Sequence, residues 1–286
     1  MYTVTVAPSY RVSPVWVIII ISHRGLSINR LIGYQWLGQE AIFGIPIDVS
    51  VSFVFLFVLF GALLDKAGAG KYFLDLSFAL VGKYRGGPAK AAILASGMTG
   101  AISGSSIANV VTTGVFTIPV MRRMGMSAVK AGAIEVAAST NGQIMPPIMG
   151  AAAFLMAEFL EIAYTEGVVA AIIPAALYYV AVFFYADLEA ARKKIAPVPE
   201  DQIPPLLRTI KEGWFFTLPF AVLIYALFSL NISPEESALW ASGCIILVNW
   251  IFGYKGRRMS FRDIYNAIHD TGRGAVDIVI IGAMAG

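Results

Sequence analysis

Long uncharged runs alternate along the chain with short clusters of Lys, Arg, Asp and Glu. A membrane-crossing helix needs about 17–25 predominantly apolar residues. Val49–Leu64 is a span of minimal length, and Gly167–Ala186 and Gly213–Asn231 are full-length spans. Ser237–Tyr254 reads as another, with Trp240, Trp250 and Tyr254 towards its ends as interfacial anchors. Val276–Gly286 begins one more. Val15–Ile21 is too short to span and lacks the basic start and small-residue cleavage site of a signal peptide. The chain stops inside an apolar segment, so it reads as part of a longer protein.

Two stretches do not fit simple spans. Ala91–Met121 has no charge, yet its centre, Ser103-Gly104-Ser105-Ser106, is small and polar. As one helix its 31 residues would extend about 46 Å, against a hydrocarbon core of about 30 Å. Split at the polar centre, it gives arms of 12 and 15 residues, the lengths of a re-entrant helical hairpin. Lipid cannot satisfy the backbone groups exposed at such a tip, so the tip must face protein, water or a ligand. Ser127–Ile162 is interrupted at Asn141-Gly142-Gln143-Ile144-Met145-Pro146-Pro147, and helix is expected to resume at Ile148. Two prolines remove two amide donors and Gly142 weakens the helix. Discontinuous helices of this kind expose carbonyls and helix ends that bind ions. A competing reading treats Gly97, Gly100, Ala101 and Gly104 as a small-residue packing face. Glu135, the one acid well inside an apolar helix, either lines a cavity or lies near the interface beside Lys130.

Charge placement orients the segments. If Ala91–Met121 leaves and re-enters on one side, all but three of the 21 Lys and Arg fall on that side, the exceptions being Arg11, Arg24 and Arg30. The positive-inside rule makes that side cytoplasmic. A single crossing by Ala91–Met121 would invert every later loop and place Arg192-Lys193-Lys194 outside. Composition agrees with a polytopic membrane protein: 58% of residues are hydrophobic, 14% are charged and the mean hydropathy is +0.73. Soluble domains carry about 25% charged residues.

Several chemistries are excluded. The single Cys244 rules out a disulfide framework and a Cys-based metal site, and His23 and His269 are far apart. No basic stripe with interleaved aromatics points to nucleic acid. Gly68-Ala69-Gly70-Lys71 is not a phosphate loop, because Asp65 stands where the first glycine belongs and Tyr72 replaces Ser or Thr. A serine nucleophile at Ser103–Ser106 would need a base within reach, and neither histidine is in a span, so no enzyme is expected. Between Asp65 and Lys90, apolar and charged positions alternate as in an amphipathic helix along the cytoplasmic surface. Arg24–Arg30 before the Val49 span and Arg257–Asp263 before the Val276 span form a weak internal echo, on opposite sides, as an inverted-topology repeat requires. The organisation is therefore a segment 1–48 at the periplasmic interface, a first-repeat span and arm helix 49–90, and a core 91–162 with hairpin 91–121 and broken helix 127–162. Connecting and scaffold spans 163–254 and a second-repeat start 255–286 follow.

Three stretches carry a family resemblance: "FGIPIDVSVSFVFLFVLFGALLDKAGAGKYF", "RGGPAKAAILASGMTGAISGSSIANVVTTGVFTIPVM" and "AASTNGQIMPPIMGAAAF". They resemble the large membrane subunit of tripartite ATP-independent periplasmic (TRAP) transporters, most of all the fused permeases of the TAXI-associated branch. The resemblance covers about 38 to 194 strongly and does not extend to the first 22 residues. It implies an all-α, elevator-type secondary transporter of the bacterial inner membrane. A periplasmic binding protein would deliver an organic acid, a small membrane subunit or fused domain would accompany the permease, and a sodium gradient would drive uptake. By position, Ser103, Ser105, Ser106 and Asn109 match the family's first hairpin, and Asn141–Pro147 its broken helix. The resulting expectation assigns Ser105, Ser106, Ser139 and Asn141 to a substrate carboxylate and Ser103, Asn109, Gly142, Gln143 and Pro146 to the cation. The alternatives are a channel with a re-entrant pore loop, or another carboxylate–ion symporter or antiporter of the same fold.

Overall fold

The computed structural model describes residues 44–195 and 197–285, with single positions 27, 29, 32, 33 and 36. Most of the segment 1–48, including the Arg24–Arg30 half of the echo, lies outside the described residues. The first elements are α1 (Ile45–Val49), a π-helical turn (Ser50–Val54), α2 (Phe55–Ala67) and α3 (Ala69–Val81). The hairpin region forms α4 (Gly87–Ser103) and α5 (Ser106–Arg123). The interrupted stretch forms α6 (Ala128–Thr140), a 3-10 turn (Asn141–Ile144) and α7 (Ala151–Phe159). There follow α8 (Tyr164–Arg192), α9 (Leu206–Gly213), α10 (Thr217–Phe228), α11 (Pro234–Phe252) and α12 (Phe261–Ala285). Among the described residues there is no strand; Tyr254 and Arg257 form one isolated bridge.

Among the described residues, three stretches are long and apolar enough to cross a membrane: Ile47–Ala67, Tyr164–Arg192 and Glu200–Phe228. α8 turns Val169, Ile173, Leu177 and Phe184 outward, the face expected of a helix that meets lipid. The anticipated span 237–254 corresponds to α11, which is not among the three. The segment anticipated from Val276 is the far end of α12, continuous with its polar start.

Among the described residues, two clusters of buried apolar side chains hold the helices. One surrounds α2, where Phe57, Phe60, Leu63 and Leu64 meet Phe215, Phe216, Leu223 and Ile245. The other is built mainly from small residues, with Ala89, Ala92, Ala131, Ala138, Ala186 and Ala190 around Ile93, Met121 and Ile134. Small side chains let helix backbones approach closely, the usual way helices associate where lipid removes the hydrophobic drive. Asn249, fully buried, links the end of α2 to the loop before α12: its Nδ2 donates to Ala67 O at 3.3 Å and its Oδ1 accepts from Met259 N at 2.7 Å.

The loops that charge assigns to one side are joined by ion pairs. Lys66 meets Asp270 at 2.9 Å, Lys255 meets Asp75 at 2.6 Å, and Asp187 receives both Arg85 at 2.5 Å and Lys90 at 2.6 Å. Ala89 at the root of α4 and Met121 at the end of α5 pack in the same cluster with Ala190 and Ile195, so the hairpin returns to the end from which it left.

Three local expectations need correction. The hairpin arms are 17 and 18 residues, longer than anticipated, because α4 begins at Gly87 and carries Lys90 inside it. Helix resumes after the break at Ala151 rather than Ile148, since Met149 adopts φ 57° and Gly150 is extended. The stretch between Asp65 and Lys90 does contain a helix, α3, but its apolar side, with Tyr72 and Phe73, is buried against protein.

Candidate functional site

The hairpin tip follows from two residues. Gly104 takes φ 57°, a left-handed conformation open to glycine without penalty, and this stops α4. Ser105 is extended and caps α5, its Oγ accepting from Ala108 N at 3.3 Å. The free amides at the start of α5 thus stand at the tip, where the helix dipole favours negative charge. The arms are stapled below it by Asn109, whose Nδ2 donates to Ser96 O at 2.9 Å.

The break is equally local in origin. After Thr140 the chain tightens into the 3-10 turn and becomes extended at Met145; the Pro146–Pro147 bond is cis. Gly150 N donates to Gln143 O at 2.7 Å, which closes the loop before α7.

Tip and break meet. A methyl group added to Gly100 would lie 2.6 Å from Gly142 Cα, so two backbones touch where neither residue has a side chain. One added to Gly104 would overlap the Met149 carbonyl. Gln143 Nε2 donates to Ser106 Oγ at 3.0 Å across the seam. Gly100 therefore packs against the break, as the small-residue reading expects, and Gly104 turns the chain between α4 and α5.

A cavity of about 770 Å³ opens on this seam, with Ser103, Ser105, Ser106, Gln143 and Thr99 as its polar wall and Phe57, Ile102 and Phe154 among its apolar one. Asp65 and Asp270 also line it. Sequence reasoning missed both acids; Asp65 sits at the end of α2 and Asp270 comes from the distant α12.

Of the anticipated site residues, Ser103, Ser105, Ser106 and Gln143 reach the cavity, and the others do not. Asn109 and Ser139 are fully buried; Asn141 is nearly so and donates through Nδ2 to Ala175 O at 3.1 Å. Gly142 lies in the seam, and Pro146 in the turn beyond it. Thr99 Oγ1, Asn109 Oδ1 and Asn141 Oδ1 are buried oxygens without a hydrogen-bond partner, on residues in or beside the Gly100–Gly142 contact. Such atoms are costly unless something satisfies them. Among the described residues no three His, Cys, Asp or Glu side chains converge, so a cation at the seam would be held mainly by neutral oxygens. Glu135 neither lines the cavity nor meets Lys130. It is fully enclosed between α4, α5 and α6, bonded to Thr113 and Thr117. A lone acid in an Ala-rich helix, facing hydroxyls spaced four apart on α5, was the available signal.

Comparison with known proteins follows the same lines. The family model described as "Tripartite ATP-independent periplasmic transporter, DctM component" matches residues 1–286. A C4-dicarboxylate TRAP transporter large permease protein of Pseudomonas aeruginosa is 28% identical over 204 residues, 71% of this chain and 47% of the relative. An ectoine/5-hydroxyectoine TRAP transporter large permease protein of Ruegeria pomeroyi is 27% identical over 249 residues, 86% of this chain and 56% of the relative. A sialic acid TRAP transporter permease protein of Haemophilus influenzae is 25% identical over 211 residues, 74% of this chain and 33% of the relative. The chain spans about half the length of most of the curated relatives it matches. With a helical hairpin, a broken helix and a family match along its whole length, this chain belongs to the DctM component family of tripartite ATP-independent periplasmic transporters.

Proposed function

We propose that this chain is the permease part of a sodium-coupled TRAP transporter that imports an organic acid handed over by a periplasmic binding protein. The observation that carries the reading is the seam where the tip of α4–α5 meets the broken helix on a cavity wall. The amides that start α5, with the Ser105 and Ser106 hydroxyls, suit a carboxylate: a helix N-terminus favours an anion by about 0.3–1 kcal/mol. Gln143, bonded to Ser106, links that anion position to the break.

The unpartnered oxygens of Thr99, Asn109 and Asn141 suit a hard cation, and sodium would supply positive charge beside the carboxylate. Ser103 and backbone carbonyls of the break, including those of Gly142, Gln143 and Pro146, complete an oxygen-only donor set. Ordering of tip and break by one ligand would raise affinity for the other, a reciprocal coupling. The hairpin's return to its starting end supports a re-entrant, non-crossing element, and the reading takes from the family resemblance an elevator mechanism. A small membrane subunit or fused domain and the inner membrane complete the reading.

The test is uptake in vesicles by the complete transporter with its binding protein. Ser106→Ala and Asn141→Ala should weaken sodium-dependent uptake while the protein still folds. Unchanged uptake with unchanged sodium dependence in both variants would sink the assignment. Counterflow separates this reading from a channel with a re-entrant loop, which would show none.

A further inference from the structure

Glu135 is a buried acid for which the cavity has no use. Its side chain is fully enclosed. Four hydroxyls from three helices surround it: Ser96 of α4, Thr113 and Thr117 of α5, and Ser139 of α6. Among the described residues no Lys, Arg or His forms an ion pair with it. The charged and titratable groups on the packed elements are engaged elsewhere or exposed. Lys90 on α4 is held by Asp187, and Lys130 on α6 by the Tyr185 hydroxyl and Glu189. Arg122 and Arg123 are exposed at the end of α5. On α8, Tyr178 and Tyr179 donate to Ala137 O and Ala138 O.

The hydrogens in this cluster do not suffice for its contacts. Thr113 Oγ1 lies 2.7 Å from Asn109 O and also against Glu135 Oε1. Thr117 Oγ1 lies 3.0 Å from Thr113 O and 2.5 Å from Glu135 Oε2. Ser96 Oγ approaches Glu135 Oε1 at 3.2 Å and both Thr113 Oγ1 and Ser139 Oγ at 3.3 Å. Each hydroxyl has one proton, so each threonine serves two acceptors with a single hydrogen. A proton on the Glu135 carboxyl supplies a donor, frees one threonine for its backbone carbonyl, and removes a charge that nothing opposes. The oxygens touch one another closely, which leaves a proton the ligand that fits.

We propose that Glu135, with Ser96, Thr113, Thr117 and Ser139, is a proton-binding site separate from the cavity. The carboxyl carries a proton while α5 is packed on α4 and α6, and releases it to entering water when that packing opens, leaving a carboxylate. The cluster lies one layer beneath the tip: Thr113 contacts the carbonyl of Asn109, which itself staples the two arms. Proton occupancy is thereby tied to the stance of the hairpin. That link to uptake rests on the transport reading above; the protonation state does not.

The experiment has two arms on the complete permease. Infrared spectroscopy of the purified, reconstituted protein at neutral pH should show a protonated-carboxyl carbonyl band that is lost in Glu135→Gln, while Gln, neutral and of the same shape, keeps the fold. A wild-type spectrum without that band overturns the proposal. So does a carboxylate signature that responds to sodium, which would make the cluster a cation site. In vesicles, an imposed pH gradient should alter wild-type uptake, and this response should be lost in Glu135→Gln. An unchanged response in the variant overturns the release step. Absence of any wild-type uptake would instead count against the transport reading and leave the infrared result standing.

Discussion

The contact between Gly100 and Gly142 makes a sharp quantitative prediction. In Gly100→Ala the new methyl would stand 2.6 Å from Gly142 Cα and 3.2 Å from Asn109 Nδ2. Carbon atoms in contact prefer about 3.5–4.0 Å, and the obstacle is backbone that no rotamer change can move. The seam must open by about 1 Å. Overpacking of this kind costs about 1–3 kcal/mol. Opening also carries the 3.0 Å bond between Gln143 and Ser106 out of hydrogen-bond range, a further loss of about 1 kcal/mol. Alanine returns about 1 kcal/mol through better helix propensity. The net expectation is a loss of about 2 kcal/mol. Gly132→Ala is the control: it lies within α6 with nothing within 4 Å of the added methyl, and should gain about 1 kcal/mol. Thermal unfolding in detergent gives the comparison. The double change Gly100→Ala/Gly142→Ala should cost less than the sum of its parts, because one opened seam admits both methyls. Equal stability of Gly100→Ala and Gly132→Ala, or strict additivity in the double, would refute the reasoning.

Further outcomes follow from polar contacts outside the seam. Lys90→Met leaves Asp187 with Arg85 alone; since the lysine side chain is 9% exposed and the aspartate 24%, the loss should be about 2–3 kcal/mol, below the full penalty for a wholly buried pair. Arg85→Ala, at a side chain 53% exposed, should cost under about 1 kcal/mol, and equal losses in denaturant unfolding would contradict this. At the start of α12, Ser260 N donates to Asp263 Oδ2 at 2.9 Å and Asp263 N donates to Ser260 Oγ at 3.2 Å, a reciprocal cap. Ser260→Ala should weaken this end by about 1 kcal/mol, read as faster amide exchange in 261–264. The Ser260 amide and hydroxyl hold the Asp263 carboxyl below its usual range. Its stabilisation is therefore complete above pH of about 4 and lost as pH falls through the lower folded-state value, so exchange there should quicken on acidification. A pH-independent rate, after correction for intrinsic exchange, would contradict the cap.

The parts of the fold legible in the sequence were those set by neighbours along the chain. Ser103–Ser106 announces a turn because a glycine is followed at once by a capping serine, and Asn141–Pro147 announces a break because consecutive prolines cannot continue a helix. Contacts between distant segments were hidden. Gly100 and Gly142 were each visible as small residues, but nothing in the sequence paired them. Lys90 borders an apolar run in the sequence; the structure places it within α4 and pairs it with Asp187, 97 residues away along the chain. Glu135 was visible as an anomaly, yet its hydroxyl neighbours arrive from three helices and only the packed structure assembles them. Asn109 and Asn141 looked like direct ligands, whereas their amide nitrogens are occupied by backbone carbonyls and only their oxygens are left over.

The two ends of the hairpin are held with very different strength. Its root is fixed by the alanine-rich cluster with Ala186 and Ala190, and by the Lys90–Asp187 ion pair. Its tip rests on glycine backbones and one side-chain hydrogen bond, a hold of about 1 kcal/mol beyond van der Waals contact. The element is thus a lever with a heavy fulcrum and a light tip. A ligand that binds one tip position tenfold tighter than another supplies about 1.4 kcal/mol, which matches or exceeds that polar hold. For the ligand proposed above, such selectivity would offset the polar part of the tip's hold and leave the glycine contact and the root in place.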